Sequence, residues 1–494
     1  MKNKALMFQG TGSDVGKSLV LAGLCRVFAN RGIITCPFKP QNMSNNAAVT
    51  KDGGEIGRAQ ALQAQAARTP LSVHMNPVLL KPQAEVGAQI VVQGKLLGST
   101  FAKDYHKLKP TLMPKVMESF KNIVKKTELT LIEGAGSPAE INLRKSDIAN
   151  MGFAETADIP VILVADIDRG GVIAQLVGTY LLLSETERKR TVGYIVNKFR
   201  GDLSLFDDGL KIIEKQTTLA CLGIIPWFDQ AKTLPKEDTM ALRGTVYHQG
   251  SSGIKIAVLR FPRIANFDDL DPLSAEPDVT LNFIEPGCPI PGDVDLVLLP
   301  GSKTTLADLN VLRSEGWDTD IQAHIRRGGI VVGLCGGYQM LGTNIIDDEG
   351  IEGPPEKAKG LGLLNIQTKL TKTKKLVNTS GWEQTSGEAV KGYEMHIGIT
   401  TGPDIKRPWL ELEGGRKDGA ISKNGQVMGC YLHGLFSEDS FRASFLKRFK
   451  KNRVLKTAYE KKLEQTLELL AQHLEKHLDI NEILNLATSP KRIC

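Results

Sequence analysis

The chain reads as an α/β protein of two domains: a phosphate-loop parallel sheet covered by helices on both faces, then a second α/β unit with a helical C-terminal tail. Three observations predict this. The 494 residues are more than one compact core accommodates. Short Val- and Ile-rich runs alternate with helical stretches, as strands buried on both faces require. The alternation then stops in a polar stretch and starts afresh beyond it.

In the first half KALMFQG is a strand and GKSLVLAGLCRVFANRG the helix after it. GIITCPFKP, TLIEGAG, IPVILVAD, TVGYIVNKF and ACLGIIPW are further strands ending in polar or glycine residues. In such sheets ligands bind at the carboxyl ends of the strands. Residues 1–237 form the first domain on this reading, and the polar run 238–252, ending QGSSG, is the linker. IKIAVLRFP, VDLVLLPGS and GGIVVGLCGG repeat the strand-then-glycine pattern in a second domain, 253–438. Residues 439–494 are a charged helical tail, in which Leu463, Leu467, Leu470 and Leu474 mark a packing face.

Composition narrows the classes. A hydrophobic fraction of 41% and a charged fraction of 24% are ordinary for a globular protein. The N-terminus lacks the long apolar region of a secretory signal, and no run is long enough to span a bilayer, so a cytoplasmic protein without membrane association is expected. The net charge of +7 is mild, with no dense basic stripe for nucleic acid. Seven cysteines are scattered without CxxC pairs, which argues against a zinc ribbon or a disulfide scaffold.

Two motifs carry chemistry. Gly10-Thr11-Gly12-Ser13-Asp14-Val15-Gly16-Lys17-Ser18 lies between the first strand and first helix. Backbone N–H groups of such a loop turn toward phosphate oxygens, and the helix N-terminus adds positive potential. Gly12, Asp14, Gly16, Lys17 and Ser18 are the expected ATP-binding residues. Lys17 reaches the terminal phosphates and the Ser18 hydroxyl meets magnesium. Thr11 stands where strict spacing puts glycine, so the motif is a variant. Glu133, at a neighbouring strand tip, is the second expected magnesium ligand. Asp166, Asp168 and Arg169 follow another strand; they serve either to orient metal and substrate or to cap a turn. Asn197, followed by Lys198, is a candidate for reading the purine base, with a plain turn as the alternative.

The other motif is Gly333-Leu334-Cys335-Gly336-Gly337-Tyr338-Gln339, between a strand and a helix. A tight turn there lifts the thiol clear of the sheet as a nucleophile. The Gly336 N–H is an oxyanion donor, with a second near Gly301. His433, in GCYLHGLF, is the expected base, ahead of His396 in GYEMHIG.

Taken together, KPQNMSNNA, EGAGSPAEINLRKSDIANMG, VADIDRGG, LPGSKTT, GLCGGYQMLG, GYEMHIG and YLHGLF resemble the blocks of the cobyric acid synthase family over nearly the whole chain. These are glutamine-hydrolysing amidotransferases of cobalamin biosynthesis. The first half is similar to dethiobiotin synthetase and the second to class I glutamine amidotransferases. The resemblance implies ATP and Mg2+ as cofactors, and glutamine and adenosylcobyrinic acid a,c-diamide as substrates. It implies amidation of the b, d, e and g carboxylates to give adenosylcobyric acid. Arg144 and Asp147, in NLRKSD, are candidates for holding the corrin. The alternatives are a cobyrinic acid a,c-diamide synthase, or a regulatory phosphate-loop ATPase with an inactive second domain.

Two departures matter. Many class I members carry glutamate two residues after the histidine; here Leu435 stands there, which leaves Glu394 as a candidate partner for His433. Dethiobiotin synthetase has an aspartate in the helix after its second strand, whereas GRAQALQAQAAR has no acid.

Overall fold

A computed structural model of the chain describes residues 3–490 apart from 84–86, 237–245, 248–252 and 455–456. The predicted strands of the first half form one six-stranded, wholly parallel sheet. Its spatial order is Cys221–Pro226, Thr191–Phe199, Val161–Asp166, Lys4–Gly10, Leu129–Glu133, Thr35–Phe38. The central strands are buried along their whole length, so apolar runs rather than alternation mark them. The helix Lys17–Asn30 packs on one face, while Phe38, Phe120 and Phe153 cluster on the other.

An arm of four short strands projects from this half: Gln41–Met43, Val78–Pro82, Gly87–Val92 and Lys95–Phe101. Its apolar residues Leu79 and Val91 pack with Ala47, Tyr393 and Met395, so the arm touches the second half of the chain.

The second half holds a mainly parallel seven-stranded sheet. Leu296–Leu299, Ile330–Leu334 and Val427–Cys430 lie side by side at its centre. Most of the expected linker falls outside the described residues; Val246–Tyr247 within it form an antiparallel edge strand of this sheet. A long hairpin, Gln367–Glu383 and Ala389–Thr401, makes a further sheet. The short strand Leu432–His433 pairs with it, setting Tyr393 opposite His433.

The tail returns to the first half. The helix Tyr459–His477 buries Leu463, Leu467, Leu470 and Leu474 against Leu21, Leu24, Cys25 and Phe28. Gly23 makes this approach possible, since a Cβ there would run into Leu474. Arg26, almost fully buried, pairs with Glu464 at 2.7 Å and Glu468 at 2.6 Å. No helix among the described residues is long and apolar enough to cross a membrane.

Candidate active sites

The phosphate loop sits at the carboxyl end of the central strand Lys4–Gly10. Asp14 and Gly16 have positive φ, which folds the loop back on itself. Lys17 Nζ lies 3.2 Å from the Gly12 carbonyl and 3.1 Å from that of Gly136, so it arches over the cradle. Ser18 Oγ donates to Glu133 Oε1 at 2.7 Å, joining the two expected metal ligands. Lys39 Nζ is 2.8 Å from the same oxygen, and Gln63 Nε2 donates to Glu133 Oε2 at 2.6 Å. Gln63 comes from the helix Arg58–Ala66, the helix whose lack of an acid was noted above. A hydroxyl and one carboxylate suit magnesium, which takes most of its ligands from phosphate and water. Among the described residues no cluster of acids, histidines or cysteines offers a self-contained metal cage.

Asn197 braces the loop from below, its Nδ2 donating to the Val15 carbonyl at 2.8 Å and its Oδ1 accepting the Lys198 N–H. Lys198 Nζ meets the Asp14 carbonyl at 2.6 Å and Asp166 Oδ2 at 2.7 Å. Arg169 spans Asp14 at 3.3 Å and Asp166 at 3.6 Å, while Asp168 pairs with Arg200 at 2.6 Å. The DIDRGG segment therefore lies against the phosphate loop. Beside it, an apolar recess is walled by Leu19, Lys198, Pro226, Trp227 and Phe228, with Leu470 and Leu474 of the tail helix also lining it.

Arg144 and Asp147 are half-buried and bonded within the chain. Asp147 accepts the backbone N–H groups of Ala149, Asn150 and Gly152, and Arg144 Nε is 2.8 Å from Glu187. These contacts fasten the segment that follows Gly136.

In the second half Cys335 occupies the turn between Ile330–Leu334 and the helix Gly336–Met340, at φ 51° and ψ −106°. A non-glycine residue at positive φ costs about 1–3 kcal/mol and persists where the surrounding packing imposes it. Glycines make the turn possible: a Cβ at Gly337 would strike the Leu299 carbonyl, and one at Gly333 would come within 2.6 Å of the Gly337 carbonyl. Gly336 packs directly against the backbone nitrogen of Ser302. Gly301 borders the same cavity as Cys335 and His433. Gly336 and Gly301–Ser302, the expected oxyanion donors, thus lie beside each other at the cysteine turn.

His433 is 1% exposed, and its Nδ1 lies 2.7 Å from Asp269 Oδ2. The other oxygen of Asp269 accepts the Gly434 N–H at 2.6 Å. Burial alone would push the imidazole pKa down, but Asp269, followed by Cys335, outweighs it and raises the value to about 10. Tyr393 stacks on the ring at 5.3 Å between centroids. Asp269, not Glu394, is therefore the acid that orients this histidine. Glu394 is taken by Lys375 at 2.7 Å and Arg416 at 2.8 Å. Asp269 was missed because it lies 164 residues away, in NFDDL, with no local signature. His396 lines the same cavity but stacks on Tyr431 at 3.7 Å, and burial first of all pushes its pKa down.

The halves meet at this second cavity. Lys81, Gln89 and Leu96 of the arm line it together with Cys335. Glu55, 1% exposed, joins Lys81 at 3.0 Å to Lys374 at 2.6 Å across the contact. Arg58, which opens the helix carrying Gln63, pairs with Asp268, the neighbour of Asp269.

A phosphate cradle on a parallel sheet, joined to a Cys–His–Asp constellation on a nucleophile turn, defines a nucleotide-dependent synthetase fused to a thiol glutaminase. Residues 6–241 match the CobQ/CobB/MinD/ParA nucleotide binding domain, and residues 255–441 match the CobB/CobQ-like glutamine amidotransferase domain. The chain is 56% identical to a cobyric acid synthase of Methylorubrum populi over 98% of its length and 99% of the relative's. It is 54% identical to one of a Bradyrhizobium species over the full length of both, and 55% identical to one of Rhizobium johnstonii over 96% and 97%. The chain belongs to the cobyric acid synthase family.

Proposed function

We propose that the chain amidates the b, d, e and g side-chain carboxylates of adenosylcobyrinic acid a,c-diamide, using ATP and glutamine, to give adenosylcobyric acid in the cytoplasm. Residues 1–237 are the synthetase part, 253–438 the glutaminase part, and 439–494 a tail that fastens the second to the first. The observation that carries this reading is that Cys335 shares one cavity with a His433 oriented by Asp269, on the same chain as a phosphate loop.

His433 Nε2 already holds the thiol proton as part of an imidazolium, so Cys335 Sγ attacks the glutamine amide carbon as a thiolate. The carbonyl oxygen gains negative charge, which the Gly336 N–H and the backbone at Gly301–Ser302 receive. His433, kept as an imidazolium by Asp269, returns the proton to the departing nitrogen. Ammonia leaves, and water hydrolyses the thioester to glutamate. At the other site the corrin carboxylate attacks the terminal phosphate of ATP, giving an acyl phosphate and ADP. Ammonia then displaces phosphate to form the amide. Lys17 stabilises charge on the phosphates in transit. Ser18 and Glu133 would hold a magnesium ion, which neutralises phosphate charge when bound.

The test is mass spectrometry of the corrin after incubation with ATP and glutamine. Replacement of four hydroxyl groups by amino groups is expected, and an unchanged mass refutes the assignment. Cys335→Ser should abolish glutamine-dependent turnover and keep synthesis from concentrated ammonium salts at mildly alkaline pH. Loss of both alike would refute the division of labour. Lys17→Ala should abolish both.

A further inference from the structure

The glutaminase cavity contains four charged side chains that the mechanism above does not use. Lys303 and Glu352 line it alongside Cys335, Gln339 and His433. Both are half-buried. Lys303 follows Gly301–Ser302, so its side chain leaves the same wall that carries the oxyanion donors. Its backbone is pinned there by a 2.8 Å bond from its N–H to the Arg263 carbonyl. Glu352 is held against the start of the helix Thr305–Ser314, its Oε2 accepting the Leu306 N–H at 3.0 Å.

These opposite charges attract one another through space, but among the described residues no direct ion pair joins Lys303 to Glu352 or to another carboxylate. The other two lysines of the cavity, Lys81 and Lys374, share the single carboxylate of Glu55. Enclosing an ammonium and a carboxylate apart from one another is costly unless a ligand completes them. Burial, then the nearby Lys81 and Lys374, lowers the Lys303 pKa to about 7, and burial raises that of Glu352. Each is thus drawn toward its neutral form in the absence of a counter-charge. A molecule bringing one negative and one positive group would relieve both.

We propose that Lys303 and Glu352 clamp the head group of free glutamine, Lys303 receiving the α-carboxylate and Glu352 the α-ammonium. The inference rests on the glutaminase reading and adds the recognition of the substrate's zwitterionic end. It gives a physical reason why the site accepts the free amino acid and rejects side-chain amides within proteins, whose α groups are in peptide bonds. Both residues are positioning residues, acting on the end of the substrate remote from Cys335.

The test compares release of ammonia from three substrates by the full chain at about pH 6.5, where α-amino groups stay largely protonated. These are L-glutamine, L-glutaminamide, which lacks the carboxylate, and glutaramate, which lacks the α-amino group. Hydrogen bonds to charged groups predict about 10- to 100-fold preference for glutamine over either analogue in the unaltered protein. Lys303→Met should lower kcat/KM for glutamine by about the same factor, mainly through KM, and leave that for glutaminamide nearly unchanged. Lys303→Arg should recover part of the loss. Glu352→Gln should show the mirror pattern, losing glutamine and sparing glutaramate. Equal losses on glutamine and glutaminamide in Lys303→Met, or no discrimination by the unaltered protein, overturn the clamp while leaving the glutaminase in place. If the unaltered protein releases nothing from glutamine, the glutaminase reading itself falls, and the clamp with it.

Discussion

At the scale of single residues, the Asp269–His433 contact concentrates the chemistry of the second site. Asp269 fixes which ring nitrogen faces the thiol and keeps the imidazole charged. Asp269→Asn should lower glutamine-dependent turnover by about 100-fold or more, measured as glutamate release, with the protein still folded. The same contact has a pH signature. The folded pKa of His433, about 10, lies above that of an unfolded histidine. Its stabilisation is therefore complete below about pH 6.5 and is lost as pH rises through about 10. Thermal melts across that window should show a shallower alkaline loss in Asp269→Asn than in the unaltered chain. Melts that fall in parallel would contradict the linkage.

At the scale of elements, two close approaches hold the sites in shape. Gly392 lies beneath the His433 strand, and a Cβ there would run into the His433 carbonyl oxygen. Gly392→Ala should displace Leu432–His433 and depress glutaminase activity, while ATP binding, followed by calorimetry, stays intact. The tail helix is the other case. Leu474 is 1% exposed, packed on the helix that follows the phosphate loop. Leu474→Ala should cost about 2–5 kcal/mol in a denaturant titration. Because Leu474 also lines the recess beside the loop, KM for ATP should rise in the same variant, and an unchanged KM would deny the helix a part in nucleotide binding.

At the scale of the whole molecule, the glutaminase cavity is shared property. Tyr393 stacks on His433 and donates to the Ala47 carbonyl of the first half at 3.2 Å. Glu55 ties the arm to the long hairpin; burial works against its charge, but Lys374 and Lys81 hold its pKa down to about 2. Glu55→Gln leaves the buried Lys81 and the half-buried Lys374 without their shared carboxylate and should destabilise the chain by about 3–5 kcal/mol. Hydrogen exchange should then rise on both sides of the contact, in the arm and in the hairpin; a change confined to one side would show that Glu55 does not join the halves. The helix Arg58–Ala66 gives a second tie, with Gln63 on Glu133 at the phosphate site and Arg58 on Asp268 beside the glutaminase acid.

The amino-acid sequence by itself determined the strands of the parallel sheets, the phosphate loop and the cysteine turn. Each of these is written in contiguous residues, because backbone conformation is local: a strand, a glycine-rich bend and a helix start follow one another within about a dozen positions. Tertiary structure alone decided that Asp269 rather than Glu394 orients His433, that Gln63 rather than an acid meets Glu133, and that the tail packs on the first half. It also decided that Lys81 of the arm lines a cavity belonging to Cys335. Those assignments depend on which side chains are brought within about 3 Å across long stretches of chain, and a carboxylate in NFDDL carries no local mark of the imidazole it will meet.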